Sequence, residues 1–92
     1  MNDWEKLRDR ARMYQENYPA GTRILLISMG DDPNPIPSHT RATVEVVDDI
    51  GTLHCSFDNG RSLGLVPGED RFRKLTEAEL AEEGMEGGMV LG

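Results

Sequence analysis

The dipeptide Asn59-Gly60 stands between two runs, residues 53–57 (LHCSF) and 61–66 (RSLGLV), that alternate or nearly alternate apolar with polar residues. A period of two sends successive side chains to opposite faces of a strand. Asn-Gly is the strongest short hairpin signal, because both central residues of a type I′ turn need positive φ, which Asn tolerates and Gly adopts freely. A two-residue turn pairing 53–57 with 61–66 is therefore predicted, with Leu53, Cys55 and Phe57 on one face and His54 and Ser56 on the other. Three more runs read as strands. TRILLIS (22–28) is short and rich in branched apolar residues; RATVEVVDD (41–49) places Ala42, Val44 and Val46 on one side and Thr43, Glu45 and Val47 on the other; RFRKL (71–75) follows a Pro67-Gly68 stop.

Five short strands cannot bury both faces of a flat sheet in so few residues, so they are expected to curl into a small barrel. The predicted fold is mainly β, a five-stranded SH3-like barrel over residues 19–75, preceded by a helix in residues 1–18 and followed by a short acidic helix or flexible tail in residues 76–92. In the first segment Trp4, Leu7, Ala11, Tyr14 and Tyr18 recur at steps of three and four, one apolar stripe of a helix. Asn2 with Glu5 fits a capping box, and Pro19 and Gly21 close the element. The stripe either covers an open end of the β-core or meets a partner. In the last segment Thr76 and Glu79 form a second capping box, while the Gly-interrupted run of Met85, Met89, Val90 and Leu91 is expected to fray or to serve as a short docking motif.

The net charge of −7 is uneven: residues 1–18 carry four charges of each sign, residues 19–75 six basic and eight acidic, and residues 76–92 five Glu with nothing basic. The body is close to neutral and lacks the broad basic field of a phosphate binder. A lone Cys55 excludes an intramolecular disulfide, and no run approaches the roughly 20 apolar residues of a membrane span, so a cytoplasmic protein with no membrane association is expected. Catalytic groups are sparse. His39 and His54 share no metal-ligand spacing, and the pairs Asp31-Asp32 and Asp48-Asp49 lack the spaced carboxylates of a calcium loop. Cys55 points into the core and His54 away from it, so they cannot form a nucleophile–base pair. No enzyme activity, metal or cofactor is expected.

The loop MGDDPNPIPSHT (29–40) is the most suggestive surface element, since its three prolines favour extended conformations. One reading makes Met29, Asp31, Asp32, Pro35, Ile36, Pro37 and His39 a contact surface for a protein; the other is that the prolines merely stiffen a long connection. A nucleic-acid reading would instead use Arg23, Arg41, Arg61, Arg71 and Arg73 on strand edges and loops.

Tyr18-Pro19-x-Gly21-Thr22-Arg23, Leu26-Ile27-Ser28-Met29, Val47-Asp48-Asp49-x-Gly51, Asp58-Asn59-Gly60 and Pro67-Gly68-x-Asp70 together make residues 14–75 resemble DUF4314, a domain-of-unknown-function family of small bacterial and mobile-element proteins. The chain departs from the family in His39 and Ala42, where family members tend to carry Gly, and in Phe57, where they tend to carry Trp. The resemblance implies an SH3-like or KOW-like barrel in a setting of plasmids and phages. A non-enzymatic protein-binding module, for instance an inhibitor of a host defence nuclease (anti-CRISPR or anti-restriction), is the expected function; the alternative is a KOW-like nucleic-acid-binding accessory protein.

Overall fold

In the computed structural model, residues 3–91 are described, with side chains given for residues 3–84. The order is α1 (Asp3–Asn17), β1 (Arg23–Ser28), β2 (Arg41–Val47), β3 (Leu53–Phe57), β4 (Ser62–Leu65), β5 (Arg71–Lys74) and α2 (Glu77–Leu91). The strands form one antiparallel sheet in the order β4-β3-β2-β1-β5, so β1 to β4 make a meander and β5 returns to the far side of β1. The sheet does not close on itself, and β4 and β5 are its two edges. One face holds a core of Ile24, Leu26, Ile36, Ala42, Val44, Val47, Leu53, Cys55, Phe57 and Leu65. None of the described helices is long and apolar enough to cross a membrane.

Two local devices change the faces expected from alternation. The register of β2 against β3 slips between Val44 and Val46. The extra residue, Glu45, shifts the phase by one, so Val46 is 54% exposed and Val47 takes the inward position at 6%. Alternation alone had assigned those two valines the other way round. The hairpin also differs from a type I′ turn. Among its residues only Gly60 has positive φ, at 90°. The Gly60 amide donates to the Phe57 carbonyl (2.9 Å) and the Phe57 amide to the Arg61 carbonyl (2.7 Å), which gives a three-residue loop, Asp58-Asn59-Gly60. This is the turn-plus-left-handed-glycine geometry of the next commonest hairpin class. Asn59 instead uses its side chain, Oδ1 accepting from the Arg61 amide at 3.0 Å.

The contacts that dock helix α1 come from its C-terminal half. Ala11 is buried beside Gly51, whose φ of 89° suits glycine. Gln15 Nε2 donates to the carbonyls of Val47 (3.2 Å) and Asp48 (3.3 Å), and Arg10 donates to the Pro67 carbonyl (2.9 Å). Tyr14 and Tyr18 stack on each other and meet Phe72 at centroid distances of 6.4 and 5.7 Å. Trp4 and Leu7, the first members of the stripe, are 55% and 37% exposed, so they do not cover the core. The capping residue proposed for α1, Asn2, lies outside the described residues. Helix α2 has its box in full: the Thr76 amide donates to Glu79 Oε1 (2.8 Å) and the Glu79 amide to Thr76 Oγ1 (3.1 Å). Its backbone stays helical past Gly84 to Leu91, where fraying is expected from the sequence; the side chains of Met85, Met89, Val90 and Leu91 lie outside the described residues.

Candidate functional site

The 29–40 loop is fastened inward. Ile36 is 2% exposed and belongs to the core, and half-buried Met29 accepts the Ile36 amide on its sulfur at 3.3 Å. Ile36 therefore anchors the loop from within the core, where the sequence reading had it as a contact point, and Met29 is partly withdrawn with it. The reason is local economy: the loop spans the open mouth of a thin sheet, and its one branched aliphatic gains more from burial than from exposure. Asp32 Oδ1 accepts the Asn34 amide (2.8 Å) in an Asx turn. Asp31, Pro35, Pro37 and His39 remain exposed. His39 has a φ of 70° and gives its amide to the Leu26 carbonyl at 2.7 Å, so the position keeps a glycine-like backbone without glycine.

Asp70, which sequence reasoning did not single out, locks the base of this loop. It is 9% exposed, and its two oxygens accept the amides of Gly30 and Val66, each at 2.8 Å. A Cβ on Gly30 would lie 2.9 Å from the Glu69 carbonyl oxygen, so glycine is required for this approach. The signal was present in Pro67-Gly68-x-Asp70: Gly68 turns at a φ of 97° and presents the carboxylate.

The five arginines do not form one surface. On the face opposite the core, Leu25 lies across from Arg41 of β2 and Arg73 of β5, and Arg23 lies across from Thr43. Arg23 holds Asp58 in a two-pronged pair (2.9 and 2.7 Å), also grips Glu83 through Nε at 3.1 Å and through a second, shorter contact, and touches Thr43 at 3.1 Å. Arg41 reaches Glu83 (3.3 Å) and Glu82 (3.6 Å), and Arg73 holds Glu79 at 2.8 and 3.1 Å. The guanidinium of Arg23 draws the carboxyls of Asp58 and Glu83 below their usual range against the opposing effect of burial, and Arg73 with the Thr76 amide takes Glu79 down to about 2. Acidic side chains of α2 thus neutralise three arginines of the nucleic-acid candidate set. Arg61 and Arg71 lie apart from them, beside the hairpin loop and at the start of β5.

Arg71 instead borders an open groove of about 340 Å³ along the β5 edge, walled by Tyr14, Tyr18, Ile27 and Phe72 and floored by the turn at Pro67–Asp70. Ile27 is the unpaired residue where β1 slips against β5 between Leu26 and Ser28, and it is 39% exposed. Lys74 Nζ lies 5.1 Å from the Tyr18 ring centroid, and burial raises the Tyr18 phenol. Elsewhere His54 Nε2 meets Asp48 Oδ2 at 2.9 Å. Partial burial pushes the Asp48 carboxyl up, and the contacts with His54 and the amides of Thr52 and Ile50 more than reverse it, leaving it lowered. The Cys55 thiol is pushed up to about 12 by burial, helped by Glu45, and is inert as a nucleophile at neutral pH.

Residues 8–75 match the family model described as Domain of unknown function (DUF4314). The chain belongs to that family. The DUF4314 match begins inside α1 and ends at the last residue before the α2 capping box, so it contains all five arginines and the β5 groove, while Trp4, Leu7, Glu79, Glu82 and Glu83 lie outside it. No curated protein matches the chain.

Proposed function

We propose that the chain is a non-enzymatic protein-binding module on an SH3-like sheet, and that its contact surface is the aromatic groove at the β5 edge. The observation that carries this reading is the convergence there of Tyr14, Tyr18, Phe72, exposed Ile27 and Arg71 beside an edge strand. Tyr and Arg are the residue types over-represented at energetic centres of interfaces. An edge strand offers backbone donors and acceptors to an extended segment of a partner. The strand order, with β5 returning to β1, supports the SH3-like assignment. The 29–40 loop is left as a scaffold that seals the core. Inhibition of a host defence nuclease in a bacterial or mobile-element cytoplasm is the role the family resemblance suggests for such a module. The nucleic-acid reading is weaker, because carboxylates already occupy Arg23, Arg41 and Arg73.

The test compares three tagged proteins in lysate with and without nuclease treatment: the wild type, Ile27→Glu/Arg71→Glu in the groove, and Pro35→Ala/Pro37→Ala in the loop. A protein captured by the wild type and the loop variant and lost from the groove variant supports the reading. Loss from the loop variant alone, or capture that vanishes with nuclease, overturns it.

A further inference from the structure

The face opposite the core carries a second surface, separate from the β5 groove. Leu25 points away from the core side of the sheet, yet it is only 8% exposed, lying between Arg41 and Arg73 with Arg23 one position along the face. An apolar centre ringed by guanidiniums is the composition of a recognition patch. Among the described side chains α2 meets it through glutamates: Glu79 and Glu83 stand four residues apart, on one side of the helix, and reach Arg73 and the Arg23–Arg41 pair. Among residues 77–84 no side chain is buried, and Leu80 is 44% exposed. Over residues 77–84 the helix is therefore held by ion pairs that range from partly buried to exposed, with no buried apolar side chain among them. The arginines belong to the matched family domain and the glutamates to the segment after it.

We propose that the Arg73–Leu25–Arg41 row with Arg23 is a recognition site for a helical segment of a partner protein carrying glutamates one turn apart, and that α2 is its resident competitor. The present occupant defines the chemistry: carboxylates presented on a helix satisfy three guanidiniums in these positions. A phosphate backbone fits less well. Arg23 stays bound to Asp58, a residue of the domain itself, so with α2 displaced only Arg41 and Arg73 become uncompensated on this face. Two freed charges give little affinity for a polyanion whose binding scales with the phosphates neutralised.

The experiment uses the full chain with Glu79→Gln/Glu82→Gln/Glu83→Gln, in which Gln preserves the capping role at position 79 while removing the competing charges. The probes are a fluorescent peptide of residues 76–91 and a single-stranded oligothymidine. The variant is expected to bind the peptide about ten-fold more tightly than the wild type, the combined worth of several ion pairs at the surface, with affinity falling as salt is added. Adding Arg41→Ala to the variant should abolish the gain. The double variant Glu82→Gln/Glu83→Gln, which leaves the capping box untouched, should gain less. Equal peptide binding by wild type and variant, a gain that survives Arg41→Ala, or tighter binding of the oligonucleotide than of the peptide would each overturn the proposal.

Discussion

At Asp70 one buried carboxylate serves two backbone amides from segments far apart in sequence, Gly30 and Val66. Removing it strands two donors at the base of the long loop, and Asp70→Ala should cost about 3 kcal/mol in urea unfolding, with Asp70→Asn intermediate because its amide keeps only one good acceptor. His39 shows the opposite balance. A non-glycine residue at a φ of 70° carries strain that glycine would not. Even after the entropy glycine adds to the unfolded chain, His39→Gly should stabilise by about 0.5 kcal/mol, seen as a higher thermal midpoint. Ile36→Ala should cost about 2–4 kcal/mol, as expected for a core residue and not for a surface contact. Cys55, with its thiol at about 12, should label with a thiol reagent at neutral pH only as fast as the sheet opens, and denaturant should accelerate the labelling.

Among the described residues, α2 is tied to the sheet by charge pairs. Glu79, Glu83 and Asp58 all have carboxyls lowered in the folded protein, so their contribution is present above their ordinary values and is lost as pH falls through the folded values. For Glu79 that window runs from its ordinary 4.5 down to about 2. Amide hydrogen exchange in residues 77–84 should therefore quicken across this acid range while the β1–β3 amides stay protected, and salt at neutral pH should loosen the same helix. Simultaneous loss of protection in sheet and helix would show that α2 is part of the cooperative core. The elements themselves were readable because their signals are local. Pro-Gly stops, a capping box at Thr76 and alternating runs mark five strands and two helices from near neighbours alone. The slip at Glu45 was not readable, because a bulge is decided by what the partner strand leaves unpaired.

For the molecule as a whole, the family marks in the sequence map onto fastenings of the fold. Val47-Asp48-Asp49-x-Gly51 makes the turn that α1 grips through Gln15, and Arg23 and Asp58, from two different marks, hold each other across the sheet. Near neutrality of the body was also legible, although its origin was not. Five Glu in the last segment read as a solvated tail; in space three of them sit on the arginines of β1, β2 and β5. The sequence by itself determined the inventory: which runs are extended, where they turn, which residues are apolar enough to fill a thin core, and that Cys55 faces inward. Tertiary structure alone decided that Ile36 is core, that Trp4 and Leu7 stay outside, and which charges meet. Periodicity reports the relation of a residue to its neighbours within a turn or two, whereas a loop crossing a sheet or a helix folding back over it brings together residues tens of positions apart, and no local pattern encodes that return.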